Sequence, residues 1–335
     1  MIKIVIIGVG FIGKTHASAY KQIENANIVA VVDQVEEKGQ AFAKEFKTKF
    51  YKDLDEVLAK EDINIVDICT PTFLHKDMAI KAANAGKNIF CEKPLALSLS
   101  EADEIINIVN KNNVKSMVGH VLRFWPEYVE VKKIIDSGNL GKPMHFFCER
   151  LCVLPDWQEK KWGFNEKYSG GAALDLHIHD LDYLIWLFGK PKRLYSQGFY
   201  NPKVGGLGYI ASSIEFKNGE SGIAEGGWDF LGSFPFTMVL RILCEAGVID
   251  WLFRAGKNIE ERSSKTDLVV YKADGTSYIP KVEQLDPYYL ECKYFVDCID
   301  NDLKVERATL EDGRASLALA LAASESAKNK KIIEF

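Results

Sequence analysis

The sequence has no Cys-x-x-Cys pair, and no apolar run approaches the roughly 20 residues that a bilayer span requires. Its seven cysteines (Cys69, Cys91, Cys148, Cys152, Cys244, Cys292 and Cys298) are odd in number and scattered through apolar segments. That argues against a disulfide framework or a thiolate metal site, and fits buried free thiols in a reducing cytoplasm. Neither sign of charge dominates: 42 Lys and Arg oppose 47 Asp and Glu, a net charge of −5. Nucleic acid and an anionic membrane are therefore not expected partners. Nothing resembling a leader precedes the strand that begins beside Lys3, so a cytoplasmic location is expected. Internal repeats, low-complexity tracts and disordered linkers are also missing. The remainder is an ordinary globular composition, 47% apolar and 27% charged, with enough chain for about two domains.

The opening residues organise the rest. Ile2–Ile7 is a short β-branched run, as expected for a strand buried on both faces. It leads into Gly8-Val9-Gly10-Phe11-Ile12-Gly13, then into a helical pattern through about Ile23 and a second buried strand, Val29–Val32, ending at Asp33. In such a G-x-G-x-x-G, the first glycine permits the tight turn and the second lets a pyrophosphate approach. The third lets helix and sheet pack closely, while the helix N-terminus attracts the anion. Asp33 follows Gly13 by twenty residues, the place of an acid that binds an adenosine ribose. Its charge repels a 2′-phosphate, so NAD is expected over NADP, although Lys38 is near in sequence.

Beyond Asp33, strands alternate with helices. Helices are expected over Glu36–Phe46, Leu54–Ala59 with Asp53 as its N-cap, about Leu74–Ala85 stopped by Gly86, and from Ser100 as N-cap to about Asn110. Strands are expected at Lys49–Tyr51, Ile63–Cys69, Asn88–Cys91 and Lys115–Gly119. This is the pattern of a doubly wound parallel sheet. Near residue 120 the pattern changes. A helix over Glu127–Ser137, a long helix over Gly171–Phe188 and a series of extended runs from Met144 to Tyr271 predict an antiparallel sheet with helices on one face. Asn218-Gly219 marks a hairpin, and two final helices cover about Pro287–Asp300 and Thr309–Lys328. The fold class is therefore α/β: a Rossmann domain over residues 1–120 and an α+β domain over 121–335, the last helices returning towards the first.

Two further stretches carry chemistry. Thr70–His75 and Glu92-Lys93-Pro94 each follow a predicted buried strand, at the end of the sheet where parallel α/β folds bind ligands. Lys93 is either a solvated loop lysine or a catalytic cation. In Gly170-Gly171-Ala172-Ala173-Leu174-Asp175-Leu176-His177-Ile178-His179-Asp180-Leu181-Asp182, residues Asp175 and His179 share a helical face, with Asp182 one turn on. Three readings stand: a solvated surface network, a metal site with a poor zinc ligand set, or an acid/base pair in which Asp175 tunes His179. Asp180 reads as a surface or interface residue.

Taken together these motifs resemble the glucose–fructose oxidoreductase / inositol dehydrogenase (Gfo/Idh/MocA) family over essentially the full length. Gly8–Gly13 and Asp33 match its nucleotide turn, Thr70-Pro71-Thr72-Phe73-Leu74-His75 its T-P-N-x-x-H loop, and Glu92-Lys93-Pro94 its E-K-P signature. Arg123-Phe124-Trp125-Pro126 resembles its R-F-x-P segment, and Gly170-Gly171 with Asp175, His179 and Asp182 its G-G-x-x-x-D-x-x-x-H-x-x-D. Thr72 stands where Asn is common and His177 where a small residue is common. The resemblance implies an open, mainly antiparallel second sheet and a hydride transfer between NAD and a secondary alcohol of a sugar, sugar derivative or cyclitol. It implies cofactor contacts from Gly8, Gly10, Phe11, Ile12, Gly13, Asp33, Thr70, Pro71, Thr72, His75, Glu92 and Lys93. Lys93, Asp175 and His179 are then catalytic, Arg123, Asp156, Trp162, Tyr168 and His177 are candidates for the substrate wall, and no metal is expected. A glycosidase that retains NAD and a non-enzymatic nucleotide sensor are the alternatives. Apolar residues on both faces of the Ser212–Phe216 and Phe236–Leu243 runs predict a homodimer or homotetramer built through the second sheet. The particular sugar, its carbon and the reaction direction are not encoded legibly.

Overall fold

The computed structural model describes residues 1–154, 165–256, 262–264 and 267–335. Two compact units result: Met1–Trp125 with Leu285–Leu317, and Pro126–Gln284 with Ala318–Phe335.

In the first unit, β1 (Ile2–Ile7), α1 (Phe11–Tyr20), β2 (Ala26–Val32), α2 (Glu36–Phe46), β3 (Lys49–Tyr51), α3 (Leu54–Lys60), β4 (Ile65–Ile68), α4 (His75–Asn84), β5 (Asn88–Glu92), α5 (Leu99–Asn112) and β6 (Ser116–Gly119) alternate along the chain. The sheet order is β3-β2-β1-β4-β5-β6, with every pair parallel. This is the doubly wound order that reverses direction beside β1. Local chemistry sets the helix ends. Asp53 Oδ1 accepts from the Glu56 amide at 2.8 Å, and Gly86 takes a positive φ after α4. The α5 cap is Ser98, whose Oγ accepts from the Glu101 amide at 3.3 Å. Ser100, expected as the cap, sits instead in the first turn with its hydroxyl on that of Ser98, because Ser98 is the residue with extended backbone.

The second unit opens with α6 (Pro126–Asp136) and β7 (Pro143–Val153), followed by α7 (Glu166–Ser169), a π-helical turn (Ala173–His177) and α8 (Ile178–Phe188). The helix expected over Gly171–Phe188 is helical throughout, with the π-helical turn as a widening inside its first half. Strands β8 (Pro191–Asn201), β9 (Gly206–Phe216), β10 (Ser221–Phe230), β11 (Thr237–Cys244), β12 (Gly247–Ala255), β13 (Arg262–Ser264), β14 (Val269–Lys272) and β15 (Ser277–Tyr278) follow. Next along the chain come α9 (Pro287–Asp300), which belongs to the first unit, α10 (Leu310–Asn329), whose residues divide between the two units at Leu317, and β16 (Ile333–Glu334) of the second. The second sheet runs β15-β14-β12-β11-β7-β10-β9-β8-β16 with β13 on β12, and it is antiparallel except where β10 lies parallel to β7. Gly219, at φ +106°, turns the β9–β10 hairpin. A Thr309–Asp312 capping box starts α10: each residue's amide donates to the other's side chain, at 2.8 and 3.1 Å.

The core of the first unit joins Ile4, Ile6, Val31, Ile65, Phe90 and Met117 of the sheet to Cys292, Phe295 and Val296 of α9. In the second unit aromatic rings seat the helices. Phe146 stacks on Phe188 at 5.5 Å, and Tyr128 meets Tyr183 and Trp251 edge-on at 4.6 and 5.3 Å. No helix among the described residues is long and apolar enough to cross a membrane.

Candidate functional site

The nucleotide turn is fixed by contacts that only glycine allows. Gly8 has φ +93°, and a Cβ there would lie 2.6 Å from the Cys69 carbonyl oxygen. A Cβ on Gly13 would lie 2.1 Å from the Gly8 carbonyl oxygen. Gly10 differs. It is the N-cap of α1 with no side-chain cap, and nothing lies within 4 Å of where its Cβ would be. That open space over an uncapped helix start fits a pyrophosphate. Asp33 is half-buried at the end of β2, its Oδ2 accepting from the Val9 amide at 3.1 Å and its Oδ1 from the Val35 amide at 2.8 Å. The carboxylate is thereby oriented with lone pairs left for ribose hydroxyls, whereas neighbouring Gln34 and Lys38 are exposed. The arrangement fits NAD, for which the first turn of α1 could hold the pyrophosphate and Asp33 the adenosine ribose.

Two loops follow the adjacent strands β4 and β5. His75 is buried and clasps them: its Nδ1 lies 2.9 Å from the Pro94 carbonyl oxygen and its Nε2 2.9 Å from that of Thr70. Burial lowers its pKa despite both carbonyls. Expected as a cofactor contact, the His75 ring is committed to the backbone of its own loops. Thr70 and Pro71 are half-buried, and Thr72 is buried in a 3₁₀ turn. Lys93 is half-buried directly after β5, before a cis bond to Pro94. The Glu92 carboxylate is buried, accepts the Lys93 amide at 3.1 Å and lies 3.2 Å from His16 Nε2.

In the second unit, Asp175 and His179 are half-buried where neighbouring Leu174, Ile178, Asp180 and Asp182 are buried. Two corrections follow. Asp182 is fully buried and does not continue an exposed acidic face. Asp180, expected on the surface, is also fully buried, with Arg150 Nε on its Oδ2 at 2.7 Å and Nη2 on its Oδ1 at 3.1 Å.

The substrate-wall expectations fare unevenly. His177 is fully buried with Nε2 3.0 Å from Ser212 Oγ, and burial, aided by the Arg150 charge, pushes it down to about 3. It is a neutral core histidine and cannot line an open pocket. Gly226 makes room for it, since a Cβ there would come within 2.8 Å of the His177 side chain. Arg123, only 2% exposed, directs its guanidinium to Asp312 at 3.0 Å and is a core ion pair rather than a wall. Tyr168 is 38% exposed and remains available. Asp156 and Trp162 lie outside the described residues.

Among the buried ionisable groups that sequence reasoning missed are His16, Asp67, Arg150 and Glu291. A signal existed for Asp67, a single acid inside the β-branched run Ile65-Val66-Asp67-Ile68, since an acid there needs a partner.

Comparison with known proteins supplies the context. Residues 2–120 match the family described as "Oxidoreductase family, NAD-binding Rossmann fold", and residues 128–250 match the GFO/IDH/MocA C-terminal domain. Over 343 residues the chain is 30% identical to a scyllo-inositol 2-dehydrogenase (NAD(+)) of Bacillus subtilis, covering 98% of this chain and 94% of that protein. It is 38% identical over 188 residues to a 2,7-anhydro-N-acetylneuraminate hydratase of Mediterraneibacter gnavus, but spans about half of that relative's length (48%). A solved myo-inositol 2-dehydrogenase from Lactobacillus plantarum shares the fold, with a TM-score of 0.82 at 24% identity over 100% of this chain and 99% of that one. With both domain matches in register and a relative aligned end to end, the chain belongs to the Gfo/Idh/MocA family of NAD-binding oxidoreductases.

Proposed function

We propose that the chain is a dehydrogenase moving a hydride between NAD and a secondary carbinol of a sugar, sugar derivative or cyclitol, in the manner of an inositol dehydrogenase. One observation carries the reading: a glycine turn fitted to a pyrophosphate shares its sheet edge with a half-buried lysine, Lys93, held by its own neighbours at the end of β5. When bound, NAD supplies a nicotinamide ring able to accept or return the hydride. In the oxidative direction His179 takes the hydroxyl proton and Asp175 orients its imidazole. Lys93 places a cation beside the developing alkoxide and favours the deprotonated oxygen. Tyr168, with Asp156 and Trp162, supplies substrate contacts. Asp33 disfavours a 2′-phosphate, making NAD the preferred form. The working protein is a cytoplasmic homodimer or homotetramer assembled through the second sheet, and a monomeric mass in light scattering would refute that assembly.

A second reading keeps NAD bound through a net non-redox reaction, such as glycoside cleavage by transient oxidation. The M. gnavus relative favours it, being named a hydratase. Absorbance at the NADH band separates the two, using purified protein, added NAD and a panel of inositols, free sugars and sugar derivatives. NADH formed with one compound and lost in Lys93→Met supports the dehydrogenase. A blank panel from protein that carries NAD through purification shifts the assignment to the second reading.

A further inference from the structure

Four ionisable side chains converge inside the first unit: His16 from α1, Asp67 from β4, Glu92 from β5 and Glu291 from α9, none more than 6% exposed. His16 Nδ1 lies 2.9 Å from Asp67 Oδ2, and its Nε2 lies 3.2 Å from Glu92 Oε1 and 3.6 Å from Glu291 Oε1. The imidazole stacks on Phe90 at 5.0 Å, which fixes its plane. Cys69, Cys292, Tyr20 and Tyr288 complete the surroundings, and all four are pushed up by burial and stay neutral. Lys93 adds its charge on the Glu92 side.

The cluster holds an excess of acid. With every carboxylate ionised, three negative charges face one imidazolium in a site closed to water, which is costly. Either a proton or a metal cation must remove the excess. Glu291 is where a proton belongs, since it is fully buried and neither carboxylate oxygen has a hydrogen-bond partner. Burial, with the Glu92 and Asp67 charges, pushes its carboxyl up to about 8 against the pull of His16. Burial by itself would depress His16, but the charge and hydrogen bond of Asp67, together with the flanking Cys292 and Cys69, raise it above its ordinary value. Glu92 is held below its ordinary value because the His16 bond and the His16 and Lys93 charges overcome its burial. What remains is a row of alternating side chains, Asp67, His16 and Glu92, in which the Nδ1 contact is a hydrogen bond and the Nε2 contact an ion-pair approach without hydrogen-bond geometry.

The chain of contacts ends at Lys93. One Glu92 oxygen faces the His16 ring while the other accepts the Lys93 backbone amide at 3.1 Å. Gly119 on β6 leaves the room, since a Cβ there would lie 2.5 Å from Glu92 Oε1. We infer that His16 is a positioning residue: as an imidazolium clamped between Asp67 and Glu92 it fixes the backbone that carries Lys93, while Glu291 stores the proton that balances the cluster. Its effect on turnover rests on the proposed role of Lys93, whereas its charge state does not.

Two readouts keep those apart. Long-range ¹⁵N–¹H spectra of the full chain at pH 7.5, with His16 assigned through its contact with the Phe90 ring, should show both ring nitrogens protonated. That state should persist in Glu291→Gln, whose amide mimics the neutral acid, and be lost in Glu92→Gln. In steady-state assays, Glu92→Gln and His16→Asn should lower kcat on the order of 10²-fold, the cost of slight misplacement, with KM and NAD affinity little changed. A neutral His16 in the parent chain overturns the inference, as does collapse of the imidazolium signal in Glu291→Gln. So does a stoichiometric divalent metal in the purified protein. If His16→Asn does not fold, the parent and Glu291→Gln spectra still decide. If Lys93→Met proves fully active, the dehydrogenase mechanism fails while the spectra continue to test the cluster.

Discussion

Each unit buries charge, but in different ways. In the second unit Arg150 and Asp180 meet as a two-pronged pair, with Tyr128 and Met238 taking the remaining Arg150 donors. All three guanidinium nitrogens and both carboxylate oxygens have a partner, and the charges offset each other. In the first unit three acids surround one histidine, and Glu291 has both oxygens unpartnered. A matched pair fixes how α8 seats on β7 and β11. An unmatched cluster needs a proton or a cation to offset its excess charge, and it lies one residue from the lysine proposed for catalysis. The Arg150–Asp180 pair thus holds elements of the second unit together, whereas the proposal gives the first unit's cluster a part in positioning the loop that carries Lys93.

That contrast can be broken by substitution. The largest effect is expected at the end of the first cluster: Lys93→Met should lower turnover by at least about 10³-fold, the scale of losing a charge partner to a developing oxyanion. NAD binding, followed by fluorescence, and urea stability should stay near parental values. Arg150→Met should do the reverse, costing about 3–5 kcal/mol in urea unfolding because Asp180 is left buried and unpaired. If Arg150→Met were silent in unfolding, the distinction between the two clusters would fail. Asp33→Ala comes next. Losing hydrogen bonds to a charged acceptor should weaken NAD binding about tenfold and relax discrimination against NADP, read by titration with both cofactors. Unchanged preference would mean that Asp33 does not touch the ribose.

The smallest expected effect is in the pH dependence of stability. The carboxyl of Glu291 is raised in the folded chain, so that state binds more protons than the unfolded one between an ordinary carboxylate pKa and about 8. Stability from this group is therefore complete at low pH and falls as pH climbs through that window. His16, raised above its ordinary value, adds a fall in the same direction starting near neutrality. Urea midpoints from pH 5 to 9 should decline in the parent, and less steeply in Glu291→Gln. Identical slopes would show that Glu291 carries no buried proton.

Much of this was legible in the sequence where the signal is local. The β-branched runs, the glycine turn with Asp33, the Asp53 cap, the Asn218-Gly219 hairpin and the Thr309–Asp312 box each declare themselves within a few residues. The π-helical turn at Ala173–His177 did not, because its apolar pattern is that of an α-helix and only the backbone bonds differ. Asp180 was misplaced for another reason. Ile178, Leu181, Tyr183 and Leu184 bury α8 on more than one side, so it offers no polar face on which to seat an acid. Its partner Arg150 lies thirty residues earlier on β7, beyond any helical period. That His177 and Arg123 are buried was not legible either, because a motif gives a residue's place but not whether its side chain turns inward.

The order of strands in the second sheet also sets a schedule. Central β7 pairs only with β10 and β11, which begin at Ser221 and Thr237, both far later in the chain. During synthesis β7 must wait with both edges bare while those partners are made, and unpaired edges invite association with other chains. Pro143, His145, Glu149 and Arg150 punctuate the apolar Met144, Phe146, Phe147 and Leu151 along it. Their charge and the missing proline amide make a strand that is hard to zip onto a stranger. A nascent chain that has emerged from the ribosome only to a point before residue 221 should therefore be more prone to chaperone capture than one that has emerged past residue 244, when β7 can be enclosed on both sides.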